Sequence, residues 1–333
     1  MKKFVLFLIT ISLLLSLIAC NESTTETSDP ESNVSESNVS ESISPTVSQS
    51  EENESDVHYE NIEAKQEAYL SLSAGIADKQ LTYRQREEGS SKGYEYTYYE
   101  PTAFCVLENG NVAFVDSVAQ KIKVFDTDAK EVRTVEYTAD NEYDMPVLLA
   151  EKDGMFCVVM IPYGQVCDCD EKHYCYALLV ESEKQTTVSM ESDAAEYTKI
   201  PCALEFADGK KAKMTAENHR VIEIDFESGR FTDLGVENPK LSTIVLTNPD
   251  SRYIGSDENG EVYFRRTVGD GDEKSITVTC YDQSGESILS AEIDYPDDKS
   301  YTATPYTVSG GYVYYFVCTE STVEIFKLTL GNS

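Results

Sequence analysis

The densest group of chemically reactive side chains lies at residues 167–175, which read Cys-Asp-Cys-Asp-Glu-Lys-His-Tyr-Cys. Cysteine, histidine and carboxylate side chains are ligands that zinc accepts. The spacing, Cys-x-Cys and then His-x-Cys, matches none of the usual zinc motifs. We therefore favour a disulfide from Cys167 or Cys169 to Cys175, or free thiols, and predict no bound metal and no cofactor. Zinc held by Cys167, Cys169, His173 and Cys175 is the alternative.

Two other groups of residues could bind an ion or carry out catalysis. The loop Gly269–Glu273 holds three carboxylates, but calcium loops of the EF-hand type need a longer, spaced set of oxygens. We interpret it as the solvated tip of a hairpin. The three histidines, His58, His173 and His219, lie far apart in the chain, and there is no Gly-x-Ser-x-Gly motif. These residues predict no nucleophilic catalytic site.

The first twenty residues carry an export signal. Lys2 and Lys3 precede an apolar run from Phe4 to Leu17, which is shorter than the roughly 20 residues of a membrane span. The following Leu-Ile-Ala-Cys ends at Cys20 and resembles the lipobox of bacterial lipoproteins. This resemblance implies a signal peptide over residues 1–19, lipidation of Cys20, and a protein held by lipid on the extracytoplasmic face of the cell membrane.

Residues 20–58 have the composition of a disordered tether. They are rich in Ser, Glu, Thr and Asn, repeat the unit Glu-Ser-Asn-Val-Ser, and contain no aromatic residue. Such a segment cannot bury enough apolar surface to offset the entropy lost on ordering. Residues 59–93 are then predicted to be a connecting segment, with helical character over Ile62–Ala77.

From residue 94 to residue 333 the sequence predicts an all-β domain. Short segments of alternating polarity are separated by turn residues. Five turn signals place glycines at intervals of 44, 55, 51 and 51 residues, and a period near 50 indicates a repeat such as the four-stranded blade of a β-propeller. The signals are Asn109-Gly110, Asp153-Gly154, Asp208-Gly209, Asn259-Gly260 and Gly310-Gly311.

The first repeat, Pro101 to Val135, resembles an NHL-type propeller repeat. It shows a proline, an apolar strand, an Asn-Gly turn, a strand ending at Asp116, and the strand Lys-Ile-Lys-Val-Phe-Asp over residues 121–126. The resemblance implies a ring, and the hairpins predict five blades, or six if another is hidden. The last unit has only three strands, so we expect the N-terminal segment Tyr94–Tyr98 to close the ring. A β-sandwich is the alternative.

Two side-chain types within the predicted strands have a structural interpretation. Cys105, Cys157, Cys202 and Cys318 lie on apolar strands, where we expect thiols packed as small hydrophobic groups. Tyrosines at 94, 96, 98 and 99 and at 312, 314 and 315 are strand formers. Alternation places Tyr312 and Tyr314 on one face of their strand and Tyr315 on the other.

The charge balance excludes one class of partner. The chain has 60 acidic and 27 basic residues, a net charge of −33, which argues against nucleic acid binding. Residues 21–64 hold twelve acids and no base, and residues 65–333 carry a net charge of −23. Both the tether and the propeller are therefore acidic.

These observations favour a non-enzymatic binding module. We expect a membrane-anchored lipoprotein whose propeller binds a protein, peptide or cell-wall ligand through loops at one end of the ring. The alternative is a carbohydrate-active enzyme, a glycosidase or lyase, with carboxylates in the propeller channel. The absence of Trp, which stacks on sugars, counts against it. A third hypothesis is a scaffold within an envelope complex.

Overall fold

The chain folds into a five-bladed β-propeller. The computed structural model describes residues 62–75, 80–82, 84–85, 98–99, 101–141, 144–162, 175–182, 184–190, 201–206, 208–216, 220–236, 244, 250–269, 274–294, 306–318 and 321–332. The prediction of an all-β propeller is confirmed, and of the two blade numbers predicted, five and six, the structure has five. The predicted signal peptide, Cys20 and the tether lie outside these residues.

Twenty-four strands are described, and most belong to the blades. The first strands along the chain are β1 (Lys65–Gly75), β2 (Leu81–Thr82), β3 (Arg84–Gln85) and β4 (Tyr98–Tyr99). Blade 1 contains β5 (Phe104–Val106), β6 (Val112–Asp116), β7 (Lys121–Phe125) and β8 (Glu131–Glu136). Blade 2 contains β9 (Met145–Lys152), β10 (Met155–Ile161), β11 (Tyr176–Glu181) and β12 (Lys184–Ser189).

The remaining blades follow the same pattern. Blade 3 contains β13 (Pro201–Phe206), β14 (Lys211–Ala216), β15 (Val221–Asp225) and β16 (Arg230–Gly235). Blade 4 contains β17 (Arg252–Ser256), β18 (Val262–Val268), β19 (Ser275–Tyr281) and β20 (Ser287–Asp294), with β24 (Gly331–Asn332) added at its outer edge. Blade 5 contains β21 (Tyr306–Ser309), β22 (Tyr312–Cys318) and β23 (Thr322–Thr329), and β1 is its fourth strand.

Position within a blade explains the sequence pattern of each strand. The middle strands are covered on both faces by neighbouring blades, so β10 reads Met-Phe-Cys-Val-Val-Met-Ile and is buried from its second residue onward. The outer strand β16 reads Arg-Phe-Thr-Asp-Leu-Gly and alternates between exposed and half-buried side chains. A continuous apolar run thus marks this middle strand of blade 2, and alternation marks the outer strand of blade 3.

The hydrophobic core is divided among the five interfaces between blades. Five clusters of buried side chains are present, and each joins two neighbouring blades, including blade 5 with blade 1. The ring is therefore closed by packing as well as by strand pairing.

The prediction that an N-terminal strand closes the ring is confirmed, but the strand is β1, and two finer expectations from the sequence were wrong. Residues 65–75, which lie in the segment given helical character, pair antiparallel with β23. Ring closure therefore uses Lys65–Gly75 rather than Tyr94–Tyr98, and Tyr98–Tyr99 instead pairs with Arg84–Gln85. The strand thus comes from the 59–93 segment, between the tether and the predicted start of the propeller. Leu70, Leu72 and Ala74 are buried and the serines between them are exposed. Burial therefore alternates from one residue to the next, as it does in a strand with one covered face.

A buried ion pair fixes the chain where it passes from blade 5 to blade 1. Lys123 Nζ lies 2.8 Å from Asp116 Oδ2, and the two side chains are 3% and 1% exposed. The same ammonium donates to the Gln80 carbonyl at 2.5 Å, and the next residue, Leu81, is fully buried. The N-terminal segment is therefore attached to blade 1 as well as to blade 5.

The two ends of the ring are built differently. At one end, called here the turn end, links of two to five residues join first to second and third to fourth strands. All five predicted turn signals lie there. Residues 153–154 and 310–311 form two-residue hairpins as predicted, with positive φ at both positions. The other three signals lie in links of four or five residues.

In several of the turn-end links, an aspartate carboxylate accepts hydrogen bonds from backbone N–H groups of the same link. Asp282 Oδ1, for example, accepts hydrogen bonds from the backbone N–H groups of Ser284 at 2.8 Å and Glu286 at 2.9 Å. The opposite end, called here the loop end, carries the second-to-third links and the connections between blades. These include residues 162–175, 190–200, 236–251 and 295–305, with lengths of 11 to 16 residues.

Candidate functional site

The innermost strands of all five blades surround a central channel. It contains about 470 Å³ of empty space, including the part that is open to solvent. Most of its fourteen described lining residues are apolar, but the surface that they expose to the channel is mainly polar. The lining residues are Phe104, Val147, Leu148, Leu149, Cys202, Ala203, Leu204, Glu205, Ile254, Gly255, Ser256, Tyr306, Thr307 and Val308.

The packing of adjacent inner strands keeps this channel narrow. Gly255 on β17 has φ +152°, and a Cβ placed there would lie 2.9 Å from Val308 Cγ2 on β21. Only glycine fits this close approach without displacing its neighbour.

Among the described lining residues, Glu205 alone carries a carboxylate. Ser256 Oγ donates to Glu205 Oε1 at 2.7 Å, across the interface between blades 3 and 4. Burial raises the pKa of the neighbouring Tyr253, and the Glu205 carboxylate adds to this effect. Glycoside hydrolysis uses two carboxylates, and the described lining supplies one. Sequence reasoning missed Glu205, because nothing in a six-residue strand identifies which residue faces a channel.

The predicted behaviour of the strand cysteines is largely confirmed. Cys105, Cys157 and Cys318 are buried, but Cys202 is half-buried where it lines the channel. Six cysteines are described, and none of them forms a disulfide. Burial raises the pKa of the Cys105 and Cys157 thiols, which are therefore protonated and packed as small apolar groups.

The structure describes only one member of the cysteine-rich segment. Cys175 directly precedes β11 and is a buried, free thiol, so the structure contains no disulfide at this residue. Burial raises the pKa of its thiol to about 12. Cys167, Cys169 and His173 lie outside the described residues, so metal binding by this segment stays a prediction. Within the described part of the chain, no group of three or more potential ligands is placed to hold a metal ion.

The other residues singled out from the sequence are partly described. Tyr312 and Tyr314 belong to one face of β22 and Tyr315 to the other, as predicted. The Tyr312 ring is covered by the Lys327 ammonium, 3.4 Å from the ring centre. His58, His219 and residues 270–273 of the acidic loop lie outside the described residues.

None of the described helical residues forms a segment that is long and apolar enough to span a membrane.

Comparison with known proteins finds only distant similarities to solved structures. No protein-family model and no curated protein matches the chain. A DUF4221 protein from Bacteroides vulgatus is 9% identical, with a TM-score of 0.36, over 82% of this chain and 100% of that one. A gluconolactonase from Xanthomonas campestris is 15% identical, with a TM-score of 0.39, over 71% and 75%. Virginiamycin B lyase from Staphylococcus aureus is 13% identical, with a TM-score of 0.34, over 80% and 100%.

Proposed function

We propose that the protein is a membrane-anchored, extracytoplasmic lipoprotein whose propeller binds a protein, peptide or cell-wall ligand through the loop end of the ring. Lipid on Cys20 would hold it at the membrane. Because the domain is acidic, its surface has no attraction for anionic lipid, so the propeller would stand away from the bilayer.

The location of the exposed apolar side chains supports this proposal most directly. Six large hydrophobic residues of the described part of the chain are exposed. Two of them, Ile62 and Val132, lie near the turn end. The other four lie at or beside the loop end, on blades 1, 3 and 4: Val118, Leu234, Val236 and Val268. Four of the six exposed apolar side chains therefore lie toward the end of the ring that we propose to bind the ligand.

The difference between the two ends agrees with this choice of surface. At the turn end, short links carry aspartates that are already hydrogen-bonded to their own backbone. At the loop end, longer connections can offer side chains and backbone groups to a partner, and the rigid ring holds their ends in place.

Site-specific photocrosslinking in cells tests the proposal. A benzophenone amino acid replaces Val118 at the loop end or Val132 near the turn end, in otherwise identical full-length proteins. Both valines belong to blade 1 and are similarly exposed, at 38% and 47%. We expect a discrete crosslinked product from position 118 and none from position 132.

Two results would contradict the proposal. Equal crosslinking at positions 118 and 132 would show that the ends do not differ in binding. Turnover of a glycan or ester by the purified protein would contradict the non-enzymatic role. The membrane anchor is tested separately, since Cys20→Ser should abolish incorporation of a fatty-acid label and release the protein from the membrane fraction.

A carbohydrate-active enzyme remains the alternative because an exposed carboxylate, Glu205, lines the channel. A second carboxylate within about 5–10 Å of it would be needed for glycoside hydrolysis. In that case Glu205→Gln would abolish activity, whereas a binding module would still form its crosslink at position 118.

A further inference from the structure

The closing strand β1 has two halves that are held in different ways. Its first four residues, 65–68, are exposed and bury no side chain. In its second half Leu70, Leu72 and Ala74 are buried between blades 5 and 1. The first half is therefore held by its backbone pairing with β23 and by the contacts at its N-terminal end.

The two halves meet at a β-bulge. The pairing of β1 with β23 shifts its register at Tyr69, which is an extra residue in the ladder. The Tyr69 hydroxyl donates to the Gly110 carbonyl at 2.5 Å, and its ring packs edge-to-face on Tyr314 with the ring centres 5.1 Å apart. The residue at which the ladder is interrupted is thus anchored to blade 1 and to blade 5.

The C-terminal residues Gly331–Asn332, called here the clasp, hold the start of the strand. Asn332 Oδ1 accepts a hydrogen bond from the Ile62 N–H group, and the Asn332 N–H group donates to the Ile62 carbonyl at 3.0 Å. A Cβ on Gly331 would lie 2.8 Å from the Ile62 carbonyl oxygen and closer still to the Ala64 nitrogen. Because the clasp also pairs with β20, it fastens residues 62–64 to the outer edge of blade 4.

The clasp is a weaker attachment than the contacts farther along the segment. Ile62 and Asn332 are exposed, and water can replace exposed hydrogen bonds, so that local opening there costs little. The ion pair between Lys65 and Glu67 joins two residues of the same half-strand and does not hold it to the ring. Beyond β1, by contrast, the chain is bound by the buried Lys123 ammonium. Opening should therefore begin at the clasp and stop at the bulge.

We propose that residues 62–68 form a strap, which the clasp holds closed and which can open about Tyr69 while the ring stays closed. The buried side chains of the second half keep β1 in the ring. The open strap would add seven residues, a contour length of about 23–25 Å, to the predicted tether that precedes it. This use of the strap rests on the proposed membrane anchor, whereas the strap itself does not.

Hydrogen–deuterium exchange of the full-length protein in detergent, read by mass spectrometry, tests the strap. In the wild type, the slowest amides of residues 65–68 should exchange at least tenfold faster than the slowest amides of residues 70–75. Asn332→Ala removes the acceptor for the Ile62 N–H group, and Gly331→Ala forces the clasp away from Ala64. Each variant should speed exchange of residues 65–68 at least threefold more, and leave residues 70–75 and the middle strand β10 unchanged.

Asn332→Asp is the matched control, because its carboxylate keeps an acceptor for the Ile62 N–H group, and it should exchange as the wild type does. Unchanged exchange of residues 65–68 in Asn332→Ala would overturn the inference. So would equal acceleration of residues 65–68 and 70–75, since the strand would then open as one unit. Asn332→Ala and Asn332→Asp decide the question if Gly331→Ala does not fold. The measurement needs neither ligand nor membrane, so its failure leaves the proposed function standing.

Discussion

At the scale of single residues, the contact between Lys123 and Asp116 is an ion pair almost completely removed from water. Two charges that are almost completely removed from water are tolerated only when each has a charged partner and further hydrogen bonds. Asp116 Oδ1 also accepts a hydrogen bond from the Ala119 N–H group at 3.1 Å, and Lys123 also binds the Gln80 carbonyl. The pair therefore joins the two middle strands of blade 1 to the N-terminal segment.

The first prediction concerns this pair. Lys123→Met leaves the Asp116 carboxylate buried without its cation and removes a donor from the Gln80 carbonyl. We expect the free energy of unfolding to fall by about 3–5 kcal/mol, as measured by urea denaturation.

Two further variants make that result specific. Lys65→Met removes an ion pair with Glu67 that is exposed to water, and it should leave stability unchanged. Asp116→Leu combined with Lys123→Met removes both charges and should recover much of the loss. A double variant that is less stable than Lys123→Met alone would show that the buried charge was not the cause.

At the scale of elements, strands were predictable where the fold covers both faces. The middle strands β10 (Met155–Ile161) and β22 (Tyr312–Cys318) each follow a predicted turn signal directly and are apolar almost throughout. The segment that forms β1 was not predictable, because its apolar residues fit both helical and strand spacing. Its partner, β23, lies about 250 residues away in sequence, and only pairing with that strand selects the extended conformation.

The second prediction concerns the closing strand. Leu72 is 3% exposed in the interface between blades 5 and 1. Leu72→Ala should therefore lower the free energy of unfolding by about 2–5 kcal/mol. Thermal or urea unfolding measures the effect.

Ser71, the neighbouring residue, provides the control because it is exposed on the other face of β1. Ser71→Ala should change stability by no more than about 0.5 kcal/mol. If residues 65–75 were a peripheral helix, both substitutions would have similarly small effects, and β1 would not be the closing strand.

At the scale of the whole molecule, tyrosines contribute to four of the five blade interfaces. Tyr137 and Tyr176 lie between blades 1 and 2, and Tyr263 lies between blades 4 and 5. Tyr253 lies between blades 3 and 4, and Tyr314 between blades 5 and 1. Burial raises the pKa of all five phenols, to about 12 for Tyr314. The neutral phenol is therefore the form that the folded ring requires.

The third prediction is alkaline unfolding of the ring. An unfolded tyrosine ionises near pH 10, whereas the folded phenols keep their protons to higher pH. Above pH 10 the unfolded state therefore binds fewer protons than the folded state, and the free energy of unfolding must fall as pH rises. This stabilisation is fully present below pH 10 and is lost as the pH rises through the folded pKa values.

Urea denaturation at pH 7, 9, 10.5 and 11, followed by circular dichroism, measures this dependence. Absorbance of tyrosinate near 295 nm should rise in two steps, first for exposed phenols and then together with loss of structure. A free energy of unfolding that stayed constant up to pH 11 would contradict the prediction.

The sequence by itself determined the local features of this protein. Apolar runs, turn residues and their period near 50 predicted strands, hairpins and blades, because each depends on residues close together in the chain. The lipobox resemblance and the composition of residues 20–58 gave predictions of the same local kind. Cys175 is described as a free thiol, whereas the remainder of its segment and the anchor remain predictions.

The tertiary structure decided every feature that joins distant parts of the chain. It selected the closing strand, placed Glu205 beside Ser256, and set Arg265 over Tyr306. The physical reason is that these contacts link different blades, and side chains separated by 40 to 250 residues become neighbours only when the ring closes. A repeat in the sequence predicts that blades exist, but their packing against one another determines which residues face a ligand.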